Sequence, residues 1–353
     1  MKTRITLVVL SLILSLLIGL TLKRGSGDNR TSTENRPLVI GFAMDTLKEE
    51  RWQRDRDLFV ARARELGAEV LVQSANSDDI RQLRDVESLI SNHVDAIVIV
   101  PHDGAAMAKA VQLAHEANIP VLAYDRLITN SDLDLYVTFD NIRVGELQAE
   151  YLRDRFFTNR PADAPPIRLV RIYGAKTDNN ARLFKQGQDN ILAPLIASGQ
   201  VEVVHEDWAE NWKPENAKKI LNAAITKVGR NFDAILASND GTAGGAIQSL
   251  LEEGLAGKIV VTGQDADLAA CQRIVAGTQA MTIYKPLHQL ANQAAELAVK
   301  LAQGRPIIAR HSVNNQQIDV PSILLEVTTV TKENIESTVI ADGLHPRERI
   351  FGP

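Results

Sequence analysis

From Leu38 onward, short apolar runs alternate with longer stretches in which apolar residues recur every three or four positions. Leu38–Ala43, Glu69–Ser74, Ala96–Val100 and Val121–Tyr124 read as strands, and Trp52–Leu66, Arg81–Asn92 and Ala105–Ala117 as helices. After 134–141 the rhythm restarts. Helices are predicted at Glu146–Arg155, Ala181–Ile196, Glu215–Lys227, Thr242–Glu252, Leu268–Ala276 and Leu287–Ala302. Between them, strands are predicted at Arg168–Tyr173, Val201–Glu206, Ala234–Ala237, Ile259–Gly263 and Ala280–Tyr284. Strands of about five residues alternating with helices of ten or more indicate βαβ units around parallel sheets. The fold class expected is α/β, with two doubly wound parallel-sheet lobes and no short-period repeat. The Pro-rich stretch Arg160–Pro166 reads as a surface loop.

The N-terminus departs from this pattern. Lys2 and Arg4 precede an apolar run, Ile5–Leu22, which Lys23 and Arg24 close. A run of roughly 18 residues is at the lower edge of what spans a bilayer. No small-x-small cleavage site and no acylatable cysteine follows it. Residues 1–24 are therefore read as a membrane anchor, with a signal peptide cut within Gly25–Asn35 as the alternative. Residues 25–36 are read as a polar tether, and the body is expected outside the cytoplasm.

The 353 residues leave room for about two domains. With 45% hydrophobic and 24% charged residues the body has a soluble composition, and the net charge of -5 argues against a nucleic-acid partner. One cysteine, Cys271, excludes an internal disulfide framework, and seven scattered histidines form no HxxH or HExxH pair. No metal or cofactor is expected. Cys271 falls on the apolar face of a predicted helix and reads as core.

In parallel sheets, ligands gather beyond the carboxyl ends of strands. In the first half those ends are followed by Asp45 and Glu49-Arg51-Trp52, Asn76, His102-Asp103 and Asp125-Arg126. In the second come Asp178-Asn179-Asn180, Trp208 and Trp212, Asn239-Asp240, Gln264-Asp265 and Lys285. Asp, Asn and Arg offer forks that match vicinal hydroxyls, and tryptophan a flat face for sugar C–H groups. Each has a structural alternative: lid residues for Trp52 and Trp212, surface ion pairs for Arg51 and Arg126, a solvated lysine for Lys285. Two tryptophans at strand ends of opposite halves, both outside apolar stripes, favour ligand contact. Trp52 is accordingly expected to act as a lid and not as core.

Enzyme signatures are missing: no GxSxG, no GxxxxGK[ST] and no GxGxxG opening a helix after a strand. Gly241-Thr242-Ala243-Gly244-Gly245 lacks a lysine and reads as a site of close helix packing. Asp265 and Asp267 form a carboxylate pair that glycoside hydrolysis could use, but acidic strand ends are common.

Taken in order, these motifs resemble the D-xylose-binding proteins of bacterial ABC transporters, within the type I periplasmic sugar-binding superfamily. The resemblance runs from Val39 to about Gly343. It is carried by Glu50-Arg51-Trp52-Gln53-Arg54-Asp55-Arg56-Asp57, Val72-Gln73-Ser74-Ala75-Asn76, Ala123-Tyr124-Asp125-Arg126 and Phe139-Asp140-Asn141. Asp178-Asn179-Asn180-Ala181, Pro214-Glu215-Asn216-Ala217, Ala237-Ser238-Asn239-Asp240, Gly263-Gln264-Asp265-Ala266-Asp267 and Tyr284-Lys285-Pro286 complete it. The resemblance implies that Arg51, Asp125, Arg126 and Lys285 bind sugar from one lobe or the hinge. It implies that Asn180, Trp212, Asn239 and Asp265 bind from the other lobe, and that Trp52 stacks on the ring. It also implies a first lobe of 37–141 plus 287–313 and a second of 142–284 plus 314–353. A three-segment hinge would lie near Asp140–Asn141, Tyr284–Pro286 and Val313–Asn315. The partners implied are D-xylose and a membrane ABC permease, with a sensor histidine kinase as the alternative for an anchored form. The body is expected to be a non-enzymatic monomer. A sugar-responsive repressor of the lac-repressor family shares the fold, but would begin with a helix-turn-helix.

Overall fold

The computed structural model describes residues 36–161 and 163–352. The expected anchor or signal segment, and nearly all of the expected tether, lie outside the described residues. The chain divides into a unit 1–37 and a unit 38–353, and every element below belongs to the second. No helix among the described residues is long and apolar enough to cross a membrane.

Strands β1 (Leu38–Met44), β2 (Ala68–Ser74), β3 (Ala96–Val100), β4 (Val121–Tyr124) and β5 (Leu135–Phe139) alternate with helices Glu50–Glu65, Asp79–Ser91 and Ala108–Glu116. With β11 (His311–Asn314) and β12 (Asp319–Leu325) they form a seven-stranded sheet in the order β11-β12-β5-β4-β3-β1-β2. Only the β11–β12 pair is antiparallel. The Ala-Ile-Val-Ile-Val run of β3 is buried throughout, because helices cover both faces of the sheet. On one face, Ile40, Phe42 and Met44 pack with Phe59 and Ala63 of helix Glu50–Glu65 and with Leu290 and Ala294 of helix Leu287–Ala302. On the other, Ala43, Ile97 and Ile99 pack with Val86, Leu89, Val111 and Ala114.

The second sheet contains β6 (Ile167–Tyr173), β7 (Val201–Trp208), β8 (Ala234–Ala237) and β9 (Val260–Val261), all parallel, in the order β7-β6-β8-β9. Helices Asn141–Phe157 and Asn179–Ala197 cover one face, and Pro214–Val228 and Asp240–Glu252 the other. The glycine-rich run after β8 serves packing: a Cβ on Gly245 would lie 2.0 Å from the Pro214 carbonyl. Cys271 is buried in helix Leu268–Ala276. Both sheets share a 2-1-3-4 order, so each has a topological switch point beside its first strand, where α/β ligand crevices form.

The chain passes between the sheets after Phe139, around Lys285 and after Leu325. β10 (Thr282–Tyr284) pairs antiparallel with β13 (Thr328–Val330), and Asp140 N–H donates to Leu325 O at 3.0 Å, which ties the first passage to the third. The third passage differs from the expectation at Val313–Asn315. The polar run 314–317 ends β11 and enters the 315–318 turn of the β11–β12 hairpin, held by Asn315 N–H on Ile318 O and by Asn315 Oδ1 accepting from Gln317 and Ile318. β12 pairs with β5 through Leu325 and so remains in the first sheet.

Candidate ligand-binding site

The strand ends of the two sheets face one cavity of about 100 Å³. An engineered cavity of about 150 Å³ holds a benzene ring, so the space suits a single small ring.

Helix Glu50–Glu65 starts just beyond β1, and its first turn delivers Arg51 and Trp52. Arg51 meets three carboxylates: Nε is 3.3 Å from Asp55 Oδ2, Nη1 is 3.3 Å from Asp265 Oδ1, and Nη2 donates to Asp125. Asp125 follows β4 with φ 63, a left-handed conformation that a non-glycine residue adopts at a cost. The turn is held by its N–H on Val137 O at 2.8 Å, while Tyr136 and Thr138 hydroxyls donate to its carbonyl. Arg126 Nη1 donates to Asp45 Oδ2 at 2.7 Å and Pro101 O at 3.2 Å, and its Nε is 3.0 Å from Asp178 Oδ2. Lys285, on the middle passage, is fully buried, 3.3 Å from Asp265 Oδ1 and facing the Phe184 ring.

On the second sheet, Asp178 and Asn239 are helix N-caps, accepting from Asn180 N and Thr242 N at 2.9 Å each. Their side-chain oxygens satisfy orphan helix donors while the residues line the cavity. Asn180 Nδ2 donates to Asp125 O and Oδ1, at 3.0 and 3.2 Å, and its Oδ1 accepts from Asn141 at 3.0 Å, with the Tyr136 hydroxyl oxygen 3.3 Å away. Trp212 stands on a strained turn, with φ 54 at Asn211 and 58 at Trp212. Its Nε1–H donates to Asp178 Oδ2 at 3.1 Å, and its ring meets Phe184 edge to face. Gly174 makes room for that indole: a Cβ there would lie 2.0 Å from the ring.

Burial would lift Asp125, but the charges of Arg51, Lys285 and Arg126 outweigh it and hold the carboxyl below its ordinary range. Burial likewise would lift Asp45, yet His102 and Arg126 keep it low. Asp55 lies deeper, and burial pushes it up to about 6 despite Arg51 and the Tyr124 hydroxyl. Asp178 also ends above the ordinary value, because burial exceeds the pull of Arg126. Asp267 is raised well above it by burial, then by Asp240 and Asp265. Every cation of the cavity thus sits beside a carboxylate of the protein itself.

All nine residues singled out from the sequence line this one cavity: Arg51, Trp52, Asp125, Arg126, Asn180, Trp212, Asn239, Asp265 and Lys285. Trp52 differs from its expected character. It is 5% exposed, belongs to the first core, and carries the Arg51 and Arg126 guanidinium groups 4.5 and 5.1 Å from its ring centre. It is a core residue with one edge at the cavity, because the helix start that delivers Arg51 turns the next side chain onto the sheet. Phe184 and Gly174 were not foreseen. Phe184 sits on a helical apolar stripe that reads as core, and Gly174 has no local signal; its role follows from the position of Trp212.

The family of the periplasmic binding protein domain matches residues 40–306. The chain is 47% identical over 321 residues to the D-xylose-binding periplasmic protein of Haemophilus influenzae, covering 91% of this chain and 94% of that one. It is 48% identical over 311 residues to the D-xylose-binding periplasmic protein of Escherichia coli, covering 88% and 92%. Among solved structures, a carbohydrate transporter solute binding protein of Chloroflexus aurantiacus in complex with D-glucose superposes with a TM-score of 0.83 at 32% identity. The match covers 89% of this chain and 98% of that one.

Proposed function

Because the chain belongs to the periplasmic binding protein domain family, we propose that it is an extracytoplasmic receptor that closes around D-xylose and presents it to a membrane ABC permease. The observation that carries this reading is the charge balance of the cavity. Arg51, Arg126 and Lys285 are each paired with protein carboxylates, so no free positive charge remains to recognise a phosphate or carboxylate ligand. What remains among the described residues are the free Arg126 Nη2, carboxylate lone pairs, the Asn239 Nδ2 group and aromatic rings, the set that a neutral polyol ring requires.

The relatives' names support the choice of sugar and of partner. Two bind D-xylose, and the Chloroflexus protein belongs to a carbohydrate transporter, which favours presentation to a permease over signalling to a histidine kinase. On this reading the nine residues hold the sugar, Arg51, Trp52, Asp125 and Arg126 from the first lobe, Lys285 from the hinge and the other four from the second lobe. The passages after Phe139, around Lys285 and after Leu325 act as the hinge. A ligand that touches both lobes binds the closed form better and shifts the population toward it. No bond is made or broken, so the protein is a receptor and not an enzyme.

The test is a binding screen of the folded body across aldoses by calorimetry and thermal shift. D-xylose raises the melting temperature by mass action, and more than D-ribose or D-glucose at equal concentration. A melting temperature indifferent to every aldose would end the reading.

A further inference from the structure

Asp265 and Ala266 occupy consecutive left-handed backbone conformations, φ 98 and 52, and neither is glycine. Such a turn persists only where its surroundings over-determine it. Three holding bonds come from neighbouring elements of the second lobe. Asp265 N–H donates to Ile283 O at 2.8 Å, Ala266 N–H to Thr282 Oγ1 at 3.1 Å, and Asp267 N–H to Asp240 Oδ2 at 3.0 Å. The fourth comes from the far end of the chain: His345 Nε2 lies 2.9 Å from Ala266 O.

A carbonyl only accepts, so Nε2 carries the proton. His345 is buried, and its Nδ1 has no hydrogen-bond partner among the described residues. Burial pushes the imidazole below its ordinary value, and Arg54 and Arg349 act in the same sense, against the bond to the Ala266 carbonyl and the charge of Glu50. The ring is therefore a neutral, single-donor group. The Cys271 thiol, 3.5 Å from the same carbonyl, is a weaker donor. The residue before the histidine also reaches across the cleft: Leu344 O accepts from Arg54, on the helix that carries Arg51 and Trp52.

We propose that His345 is the positioning residue for Asp265: it holds the Ala266 carbonyl so that the Asp265 carboxylate meets Arg51 and Lys285 with its remaining lone pairs directed at the ligand. His345 does not line the cavity. The inference rests on the reading that Asp265 contacts the sugar.

A double-mutant cycle read by D-xylose calorimetry tests it. His345→Leu raises Kd about tenfold, the size of effect expected when one donor to a buried group is removed. His345→Gln retains an N–H donor and stays within about twofold of the parent. In the Asp265→Asn background, His345→Leu adds less than about twofold, because its effect passes through the missing carboxylate. His345→Met, which fills the ring's space without a donor, replaces His345→Leu in the cycle if the latter does not fold. Equal losses in both backgrounds, or a His345→Gln as weak as His345→Leu, would overturn the proposal while leaving the sugar site intact. An Asp265→Asn protein with unchanged affinity would instead overturn the site reading, and this inference with it.

Discussion

Arg126 and Asp178 form a buried ion pair, Nε to Oδ2 at 3.0 Å, between the ends of strands that belong to different sheets. With Nη1 on Asp45 and Pro101 O, two edges of the guanidinium are committed, and Nη2 makes no hydrogen bond among the described residues. The arginine is thereby a fixed fork with one free prong, and the pair links the two lobes directly. Arg51 and Asp265 repeat the arrangement at 3.3 Å.

Arg126→Ala removes the prong and leaves Asp45 and Asp178 buried without their cation. D-xylose binding should weaken by about 2–4 kcal/mol in calorimetry. The melting temperature should fall as well. An unchanged Kd would remove Arg126 from the site.

Trp52→Ala should damage the fold as well as the site. The side chain is part of the first core, and truncating a buried aromatic costs about 3–5 kcal/mol of stability. Urea denaturation should register that loss, and residual folded protein should bind D-xylose weakly. Full stability with weakened binding would restore the lid description.

Gly174→Ala sets a methyl against the Trp212 indole without touching the other contacts of the cavity. The ring must move off the cavity and lose its alignment with Asp178. Affinity should drop roughly tenfold, in line with overpacking costs of about 1–3 kcal/mol, while far-ultraviolet circular dichroism stays native. Unaltered affinity would show that the indole is free to sit elsewhere.

Stability should fall as pH rises from mildly acidic to mildly alkaline. Burial pushes Asp55 up to about 6 against Arg51, and Asp240 up to about 7 against Arg273, from an ordinary value of 3.8. Both carboxyls hold protons more tightly folded than unfolded, so between those values rising pH favours the unfolded chain. His102, raised by its bond to Asp45, acts in the same sense: its contribution is complete below 6.5 and is lost as pH climbs through its folded value. Asp45 and Asp125, held low, contribute above 3.8 and lose that only as pH falls through their folded values, while His345, held below 6.5, works against the trend as pH falls from 6.5 through its folded value. The melting temperature should be higher at about pH 5.5 than at about pH 8. A rise toward pH 8 would mean that Asp55 and Asp240 stay ionised at no cost.

Much of the architecture was legible along the chain. Runs such as Ala96–Val100 are buried on both faces and so are continuously apolar, and a strand's end is a local feature. Asp125, Asn239 and Asp265 could therefore be picked out one by one. Caps have the same locality, since Asp178 and Asn239 serve donors only two or three residues ahead.

Pairing across the molecule was not legible in that way. Nothing near Trp52 says that two guanidinium groups cover it, and nothing near Gly174 announces an indole 38 positions away. The polar run 314–317 looks the same whether it leaves the lobe or turns back within it; the partner strand β5 selects the turn. His345 reaches Ala266 from 79 residues away. Periodicity and turn chemistry act over a few residues, and the order of elements follows from them. Which carboxylate neutralises which arginine, and which ring is core, depends on contacts formed only when distant segments pack, and there the long-range geometry is the deciding term.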